Sequence, residues 1–272
     1  MRSTIIVTLL GLAACASAPA DMSNAALPTT RAYTASNIHA AVEVQPTPHV
    51  LELLAAHDRT QEDHALDESR QAADLLTFLA IDDGSHVAEL ASGKGYFTEL
   101  MARAVGPRGV VLGQNAPEML AGTSAETAWK ARLGRSSDAN VVRVDRSFVA
   151  PLPPETRGLD LVFLAIDYGQ LVQFGVDRDA MNHAVHLALR RGGRYVVLDE
   201  TPREGPFLTD LHALHTAESR NARREIESAG FAFAAEGRFL RDSSDPRDWD
   251  ANPGASKTGE KRDRFVLAFV NP

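Results

Sequence analysis

A run of apolar residues ending in a turn of small residues carries the side chains best suited to bind a ligand. Glu89 closes the apolar run, Gly93 and Gly95 lie in the turn, and Tyr96 begins a helical pattern. Glycine allows the backbone to approach a ligand closely. The free N–H groups at the start of a helix favour a negatively charged or polar group. The segment predicts a ligand-binding turn between a strand and a helix, although a turn without a ligand would have a similar sequence.

The elements around this turn alternate between strand-like and helical patterns. Seven strand-like runs are present: His86–Leu90, 109–112, 140–144, 159–166, 195–199, 231–239 and Arg264–Val270. Helical patterns lie at Tyr96–Val105, 116–120 and 179–189, with two more before the first strand at 50–54 and 67–79. This alternation predicts an α/β fold with a doubly wound, mostly parallel, seven-stranded sheet, Rossmann-like in architecture. Only a polar loop separates the last two runs, so we expect the last strand to be antiparallel.

The first residues predict export and a lipid anchor. Residues 4–14 form an apolar stretch that is too short to span a bilayer, which takes roughly 20 residues, but it fits a signal peptide. Residues 12–15 (LAAC) look like a bacterial lipobox, in which the chain is cut before a cysteine that becomes lipid-modified. Cys15 is therefore a candidate lipidation site. The alternative is an ordinary signal peptide cut after Ala18 or Ala20.

Three regions follow from this organisation. We expect a lipoprotein signal peptide at 1–14, a flexible tether rich in Ala, Ser, Thr and Pro at 15–48, and one folded domain at 49–272. The mature protein would then lie on the periplasmic face of the envelope, held to a membrane by its lipid alone. Ala16, rather than Asp, follows the cysteine and favours the outer membrane.

Composition and charge exclude several classes of function. The chain has 272 residues, 44% of them hydrophobic, which is typical of a globular protein. Acidic residues outnumber basic ones 36 to 28 and no basic run interrupts the sequence, so we expect no nucleic-acid partner. A single cysteine excludes a disulfide framework within the chain.

The segment from Glu89 to Gly95 resembles the E-x-G-x-G-x-G pattern of class I S-adenosylmethionine-dependent methyltransferases, with Ala91 in place of the first glycine. More narrowly, residues 66–272 resemble a group of exported bacterial proteins described as predicted methyltransferases. The similar pieces are residues 89–100, 105–109, 159–163, 176–178, 189–193, 197–199, 229–231 and 263–267. The resemblance implies S-adenosylmethionine as cofactor.

The resemblance also implies which residues contact the cofactor. These are Glu89, Ala91, Gly93, Gly95, Tyr96, Asn115 and Asp145. Many relatives carry a carboxylate at the end of the second predicted strand, where it accepts hydrogen bonds from both ribose hydroxyls. This chain has Gln114 and Asn115 there, and an amide oxygen is a weaker acceptor. Asp145 is a candidate for the adenine amino group, or else a surface residue paired with Arg143 or Arg146.

Four residues are candidates to face the methyl acceptor: Asp167, Tyr168, Asp199 and His215. The exported relatives carry Tyr-His-Asp-Leu where this chain has residues 168–171 (YGQL), and Asp-His where it has Asp199 and Glu200. Two histidines that could serve as general base are therefore replaced. An in-line methyl transfer can still proceed through positioning alone when the acceptor is a good nucleophile.

These features support two main hypotheses. The first is an exported lipoprotein that transfers a methyl group from S-adenosylmethionine to a small-molecule or protein acceptor. The second is a non-catalytic envelope binding protein on a degenerate methyltransferase fold. A weaker third hypothesis is a metal-dependent enzyme built around His212 and His215. For His183 and His186, which lie three residues apart in a helical pattern, a structural or exposed position is favoured over a metal site.

Overall fold

The computed structural model describes residues 40–172, 174–200, 219–245 and 263–272, and in these ranges the chain forms one eight-stranded sheet with helices on both faces. The strands are β1 (Ala40–Val42), β2 (His86–Leu90), β3 (Val110–Asn115), β4 (Val141–Asp145), β5 (Leu159–Leu164), β6 (Leu189–Glu200), β7 (Ala232–Gly237) and β8 (Arg264–Val270). The helices are α1 (Pro48–Leu54), α2 (Gln61–Leu66), α3 (Ala72–Leu79), α4 (Tyr96–Val105), α5 (Pro117–Leu120), α6 (Ser124–Leu133), α7 (Arg178–Ala188) and α8 (Ser219–Ser228). Short 3₁₀ turns lie at Ser136–Asp138 and Tyr168–Val172.

The order of the strands defines the edge at which a ligand would bind. Across the sheet the order is β1-β7-β8-β6-β5-β2-β3-β4. All neighbouring pairs are parallel except those made by β8, which is antiparallel to both β6 and β7. The chain runs outward from β2 through β3 to β4 and then returns to β5 on the other side of β2. Open α/β sheets bind ligands at such a reversal, outside the carboxyl ends of the strands.

The predicted fold class is confirmed, and the structure adds one strand. The sequence predicts seven strands, with a tether that extends to residue 48. In the structure Ala40–Val42 pair in parallel with β7 as an eighth strand, and Pro48 already begins α1 behind the capping side chain of Thr47. The folded part thus begins before residue 49. A three-residue strand is too short to show an alternating pattern, and it depends on the edge that β7 offers.

The core explains why the central strands are almost continuously apolar. Along β2, Val87 packs with α1, α3 and α4, whereas Ala88 and Leu90 face the opposite side with α7 and α8. The same alternation runs through β5, β6 and β8. A parallel sheet covered on both faces has this pattern. Glu89 shares its face with Val87, so a carboxylate is buried under α4.

Three helices of the structure have no counterpart among the predicted elements: α2, α6 and α8. Each buries few side chains in the described structure. The buried residues of α6 are Trp129 and Arg132, and those of α8 are Ala222 and Ile226. In α6, so narrow an apolar face gives a weak periodic signal. Among the described residues, none of the helices has the length and apolar character needed to cross a membrane.

Candidate functional site

The turn between β2 and α4, residues 91–95, is held in a left-handed backbone conformation at three positions. Gly93 has φ 57° and Gly95 has φ 82°, which glycine adopts freely. Ala91 has φ 59° although it carries a Cβ, and this conformation costs about 1 kcal/mol in a residue other than glycine. Ala91 stands where the resembled pattern has its first glycine. Residue 91 therefore has the backbone conformation that is typical of glycine, although it is an alanine.

The two glycines of the turn have different surroundings. A Cβ added to Gly95 would overlap the indole ring of Trp129 and the side chain of Arg132. Among the residues that the structure describes, a Cβ added to Gly93 would meet only the carbonyl of Ala91, at 4.0 Å. The sequence predicts close ligand approach at both glycines, but the structure uses Gly95 for packing against α6. Gly93 is the one with open space beside it.

Two amide side chains at the end of β3 hold this turn. The Oδ1 of Asn115 accepts from the N–H of Gly93 at 2.7 Å, and its Nδ2 donates to the carbonyl of Gly93 at 3.3 Å. The Oε1 of Gln114 accepts from the N–H of Ala91 at 3.1 Å. Both amide residues are fully buried. The side chain of Asn115 thus binds the backbone of the turn that carries the candidate ligand site.

Glu89 lies beneath the turn as a buried carboxyl group. Burial raises its pKa to about 7, while hydrogen bonds from Thr98 and Ser92 and the charges of Arg70 and Arg132 act in the opposite direction. The Thr98 hydroxyl donates to Oε2 of Glu89 from the first turn of α4. Glu89 therefore joins β2 to α4 and titrates close to neutral pH.

Tyr96, the first residue of α4, contacts the segment before α3. Its hydroxyl donates to Oδ1 of Asp67 at 2.5 Å, and the guanidinium of Arg70 lies 4.5 Å from the centre of its ring. Burial and the neighbouring Asp67 raise its pKa. These contacts place the side chain between α4 and the segment before α3. Contact of Tyr96 with the cofactor stays a prediction.

Asp145 ends β4 at an exposed position. Its carboxylate accepts from Nε of Arg143 at 2.8 and 2.9 Å, and Arg143 also pairs with Glu126. Of the two alternatives that the sequence leaves open, the surface ion pair with Arg143 is present. Contact of Asp145 with adenine stays a prediction.

Asp167 follows β5, and Asp199 lies near the end of the neighbouring strand β6, so both are at the carboxyl edge. Asp199 is fully buried, and its carboxylate accepts from the N–H of Gly169 at 2.7 Å and from the N–H of Glu200 at 2.8 Å. Asp167 is partly exposed and accepts from Nε2 of Gln170 at 3.1 Å. The structure brings both carboxylates to one edge, with that of Asp199 holding the loop after β5.

Tyr168, next to Asp167 in the chain, is surrounded by side chains of α7 and α8. It is fully buried, its hydroxyl donates to Glu225 at 3.0 Å, and it accepts from Nδ2 of Asn182 at 2.8 Å. Burial raises the pKa of the phenol. The side chain therefore contacts α7 and α8. The role of Tyr168 at the acceptor stays a prediction.

Several predicted residues lie outside the described ranges. These are Cys15, His212 and His215, so the lipid anchor and the histidine site stay predictions. Within the described ranges no group of three His, Cys, Asp or Glu side chains is placed to hold a metal ion. His183 is exposed, and the ring of His186 packs edge-on against Phe231 at 5.0 Å. That pair has the structural or exposed character that the sequence favours.

The structure adds three residues that the sequence did not single out as supports of the turn. Gln114 holds Ala91, Thr98 holds Glu89, and Arg132 donates to the carbonyl of Lys94 at 2.8 Å. Thr98 could have been found, because it lies in the first turn of the helix that follows the motif. Arg132 gives no local signal, since it lies 38 residues beyond Lys94.

Comparisons with known proteins agree with this architecture. A protein-family model, that of protein-L-isoaspartate (D-aspartate) O-methyltransferase, matches residues 55–144, from the end of α1 to β4. A search of curated proteins finds no match.

Solved structures match over most of the chain. A geranyl diphosphate C-methyltransferase from Streptomyces coelicolor, crystallised with S-adenosyl-L-homocysteine, is 14% identical with a TM-score of 0.55, covering 84% of this chain and 100% of the other. An S-adenosylmethionine-dependent methyltransferase from Aquifex aeolicus is also 14% identical, with a TM-score of 0.53 and coverage of 84% and 95%. At such low identity the likeness establishes the fold alone.

Proposed function

We propose that this chain, which has the fold of the class I S-adenosylmethionine-dependent methyltransferases, binds S-adenosylmethionine beside Gly93 and transfers its methyl group to a small-molecule or protein acceptor. The observation that carries the proposal is the open space at Gly93, next to the reversal of strand order between β2 and β5. A ligand at a doubly wound sheet is expected at this point. The first turn of α4 adds N–H groups directed toward the same edge.

The chain's own residues would act mainly by positioning. The backbone of the turn around Gly93 would hold the cofactor, with Glu89 fixing the turn to α4 from below. When bound, the sulfonium supplies an electrophilic methyl group, and the bond to sulfur breaks as the acceptor's bond to the methyl carbon forms. Asp167 stands at the same edge, after β5, and would face the acceptor together with His215. Holding two reactants in line can supply a large part of the rate enhancement.

Calorimetric titration of the purified full-length protein with S-adenosylmethionine and S-adenosylhomocysteine tests the cofactor. We expect micromolar dissociation constants that rise at least tenfold in Gly93→Val. Gly158→Val is the matched control, because Gly158 also has a positive φ and open surroundings but precedes β5 at the opposite edge. A wild-type protein that binds neither compound at millimolar concentration would overturn the proposal.

A second candidate function is a non-catalytic envelope binding protein on the same fold. It is favoured by the internal contacts of two residues predicted to face the acceptor, since Tyr168 bonds to Glu225 and Asn182 and the carboxylate of Asp199 bonds to the backbone. Incubation with methyl-labelled S-adenosylmethionine and envelope extract separates the two functions. Binding without transfer of the label supports the second, and transfer that is lost in Gly93→Val supports the first.

The proposal includes export and a lipid anchor at Cys15, on the periplasmic face of the outer membrane. Its support is the sequence alone, in the short apolar stretch and the LAAC tetrapeptide. We expect labelled palmitate to be incorporated in a Gram-negative host by the wild type and by Ser17→Ala, but not by Cys15→Ser. An unlabelled wild type whose first residue is Pro19 or Asp21 would instead indicate an ordinary signal peptide.

A further inference from the structure

The end of β3 differs from what the methyltransferase resemblance implies, because both of its polar side chains bind protein backbone. Gln114 and Asn115 are fully buried, and four hydrogen bonds from their amide groups reach backbone atoms of other segments. A residue that accepts hydrogen bonds from ribose hydroxyls would need acceptor capacity directed to the ligand. What these two amides hold instead is the glycine turn itself.

Asn115 binds both backbone polar groups of Gly93. Its Oδ1 accepts from the N–H of Gly93 at 2.7 Å, and its Nδ2 donates to the carbonyl of the same residue at 3.3 Å. An ionised carboxylate could not make this pair, because it has no donor. The replacement of a carboxylate by asparagine therefore has a structural consequence at this position, namely a second bond to the turn.

Gln114 extends the support to a third strand. Its Oε1 accepts from the N–H of Ala91 at 3.1 Å, and its Nε2 donates to the carbonyl of Arg146, just after β4, at 2.6 Å. The backbone carbonyl of Gln114 accepts from the N–H of Ser92 at 2.9 Å. One glutamine thus connects the glycine turn to the carboxyl ends of both β3 and β4.

The turn requires such support because Ala91 occupies the left-handed region. A residue with a Cβ held there costs about 1 kcal/mol and persists only when its surroundings fix the conformation. Within the turn, the amides bind the N–H of Ala91 and both the N–H and the carbonyl of Gly93. The bond from Gln114 therefore acts on the strained residue itself, and the bonds from Asn115 act two residues further along the same turn.

We propose that Gln114 and Asn115 are positioning residues that hold the glycine turn in its ligand-ready conformation, and that Asn115 is not an acceptor for the ribose hydroxyls. This rests on the proposed function for the identity of the ligand. It departs from the contact with cofactor that the sequence resemblance assigns to Asn115. The part that concerns the turn can be tested without any ligand.

The first test is amide hydrogen exchange in the ligand-free protein. We expect Asn115→Ala to accelerate exchange of the Gly93 amide at least tenfold, and Gln114→Ala to do the same for the Ala91 amide. Asn140→Ala is the matched control, because Asn140 also donates to backbone carbonyls, those of Ala102 and Gly106, on another side of α4. Unchanged protection of both turn amides in the two variants would overturn the proposal, whether or not the protein binds S-adenosylmethionine.

The second test separates positioning from recognition of ribose. The dissociation constants of S-adenosylhomocysteine and its 2′-deoxy analogue are measured for wild type and Asn115→Ala. We expect both constants to rise together, so that their ratio changes by less than threefold. A ratio that falls to one in the variant, from tenfold or more in the wild type, would identify Asn115 as the ribose acceptor and refute the inference. If the wild type binds neither compound, the proposed function fails and the exchange experiment alone decides.

Discussion

Arg132 of α6 donates from Nε to the carbonyl of Lys94 at 2.8 Å and thereby joins the exposed tip of the glycine turn to a buried group of ion pairs. The same guanidinium bonds to both oxygens of Asp63, at 2.8 and 3.0 Å, and to Glu99 on α4. Arg135 reaches Glu99 as well, at 2.9 Å. Residues distant in sequence are thus held in one network directly beside the candidate site.

Replacing Arg132 by methionine should destabilise the protein strongly. Asp63 and Glu99 are each less than a tenth exposed, and removing one partner of buried ion pairs typically costs about 3–5 kcal/mol. We expect a loss of stability near the lower end of this range, because Arg135 and Arg103 still pair with Glu99. Urea denaturation measures the change in the free energy of unfolding.

The matched comparison for Arg132 is Arg108→Met. Arg108 pairs with Asp83 at the surface, where ion pairs contribute about 0–1 kcal/mol. Equal losses for the two variants would show that the buried network does not stabilise the fold.

Ala91→Gly should stabilise the protein by about 1 kcal/mol, because glycine adopts a φ of 59° without steric strain. Ala102→Gly, in the middle of α4, should instead destabilise by about 1 kcal/mol. Thermal unfolding of both variants shows whether each substitution raises or lowers stability. A destabilised Ala91→Gly variant would mean that residue 91 does not have a left-handed conformation in solution.

Glu89 should make stability depend on pH in the acid-to-neutral range. Its pKa is raised from 4.5 to about 7 in the folded protein, mainly by burial. The folded state then binds more protons than the unfolded state between these values, so the free energy of unfolding falls as pH rises from 4.5 to 7. The shift in pKa corresponds to a decrease of at most about 3 kcal/mol in the free energy of unfolding.

Glu89→Gln isolates this contribution, because an amide does not titrate and its oxygen can still accept from Thr98. Relative to wild type, the variant should gain stability as pH rises from 4.5 to 7. Denaturation midpoints at half-unit pH intervals give the comparison. Parallel curves for the two proteins would contradict a raised pKa at Glu89.

Tyr168→Phe tests whether this tyrosine is structural. Loss of the hydroxyl leaves Nδ2 of the buried Asn182 without its acceptor, which should cost about 1–3 kcal/mol. We expect the affinity for S-adenosylhomocysteine to stay within twofold. Tyr195→Phe is the matched control: the Tyr195 hydroxyl is buried with no partner in the described structure, so its removal should be neutral or stabilising. If stability is unchanged and methyl transfer is lost, Tyr168 acts at the methyl acceptor instead.

The sequence was informative where local pattern and buried surface agree. The bounds of β2, α4 and β8 match their predicted runs to the residue, and the antiparallel last strand is confirmed. In these segments each apolar position packs on the core face that its spacing indicates. No comparable pattern marks β1, whose three residues depend on pairing with β7.

For the candidate site, the sequence by itself determined the location of the turn, and the tertiary structure decided what its residues contact. Glycine spacing after a strand is a local property, so the turn at Gly93 could be predicted. The open space at Gly93, the indole packed on Gly95 and the amides that bind the turn depend on strands and helices more than 15 residues away. Hydrogen bonds and burial between such distant segments leave no periodic trace in the sequence. For the same reason the sequence did not predict the surroundings of Tyr168. Its residue type is compatible with catalysis, but its burial and its bonds to α7 and α8 depend on the tertiary structure.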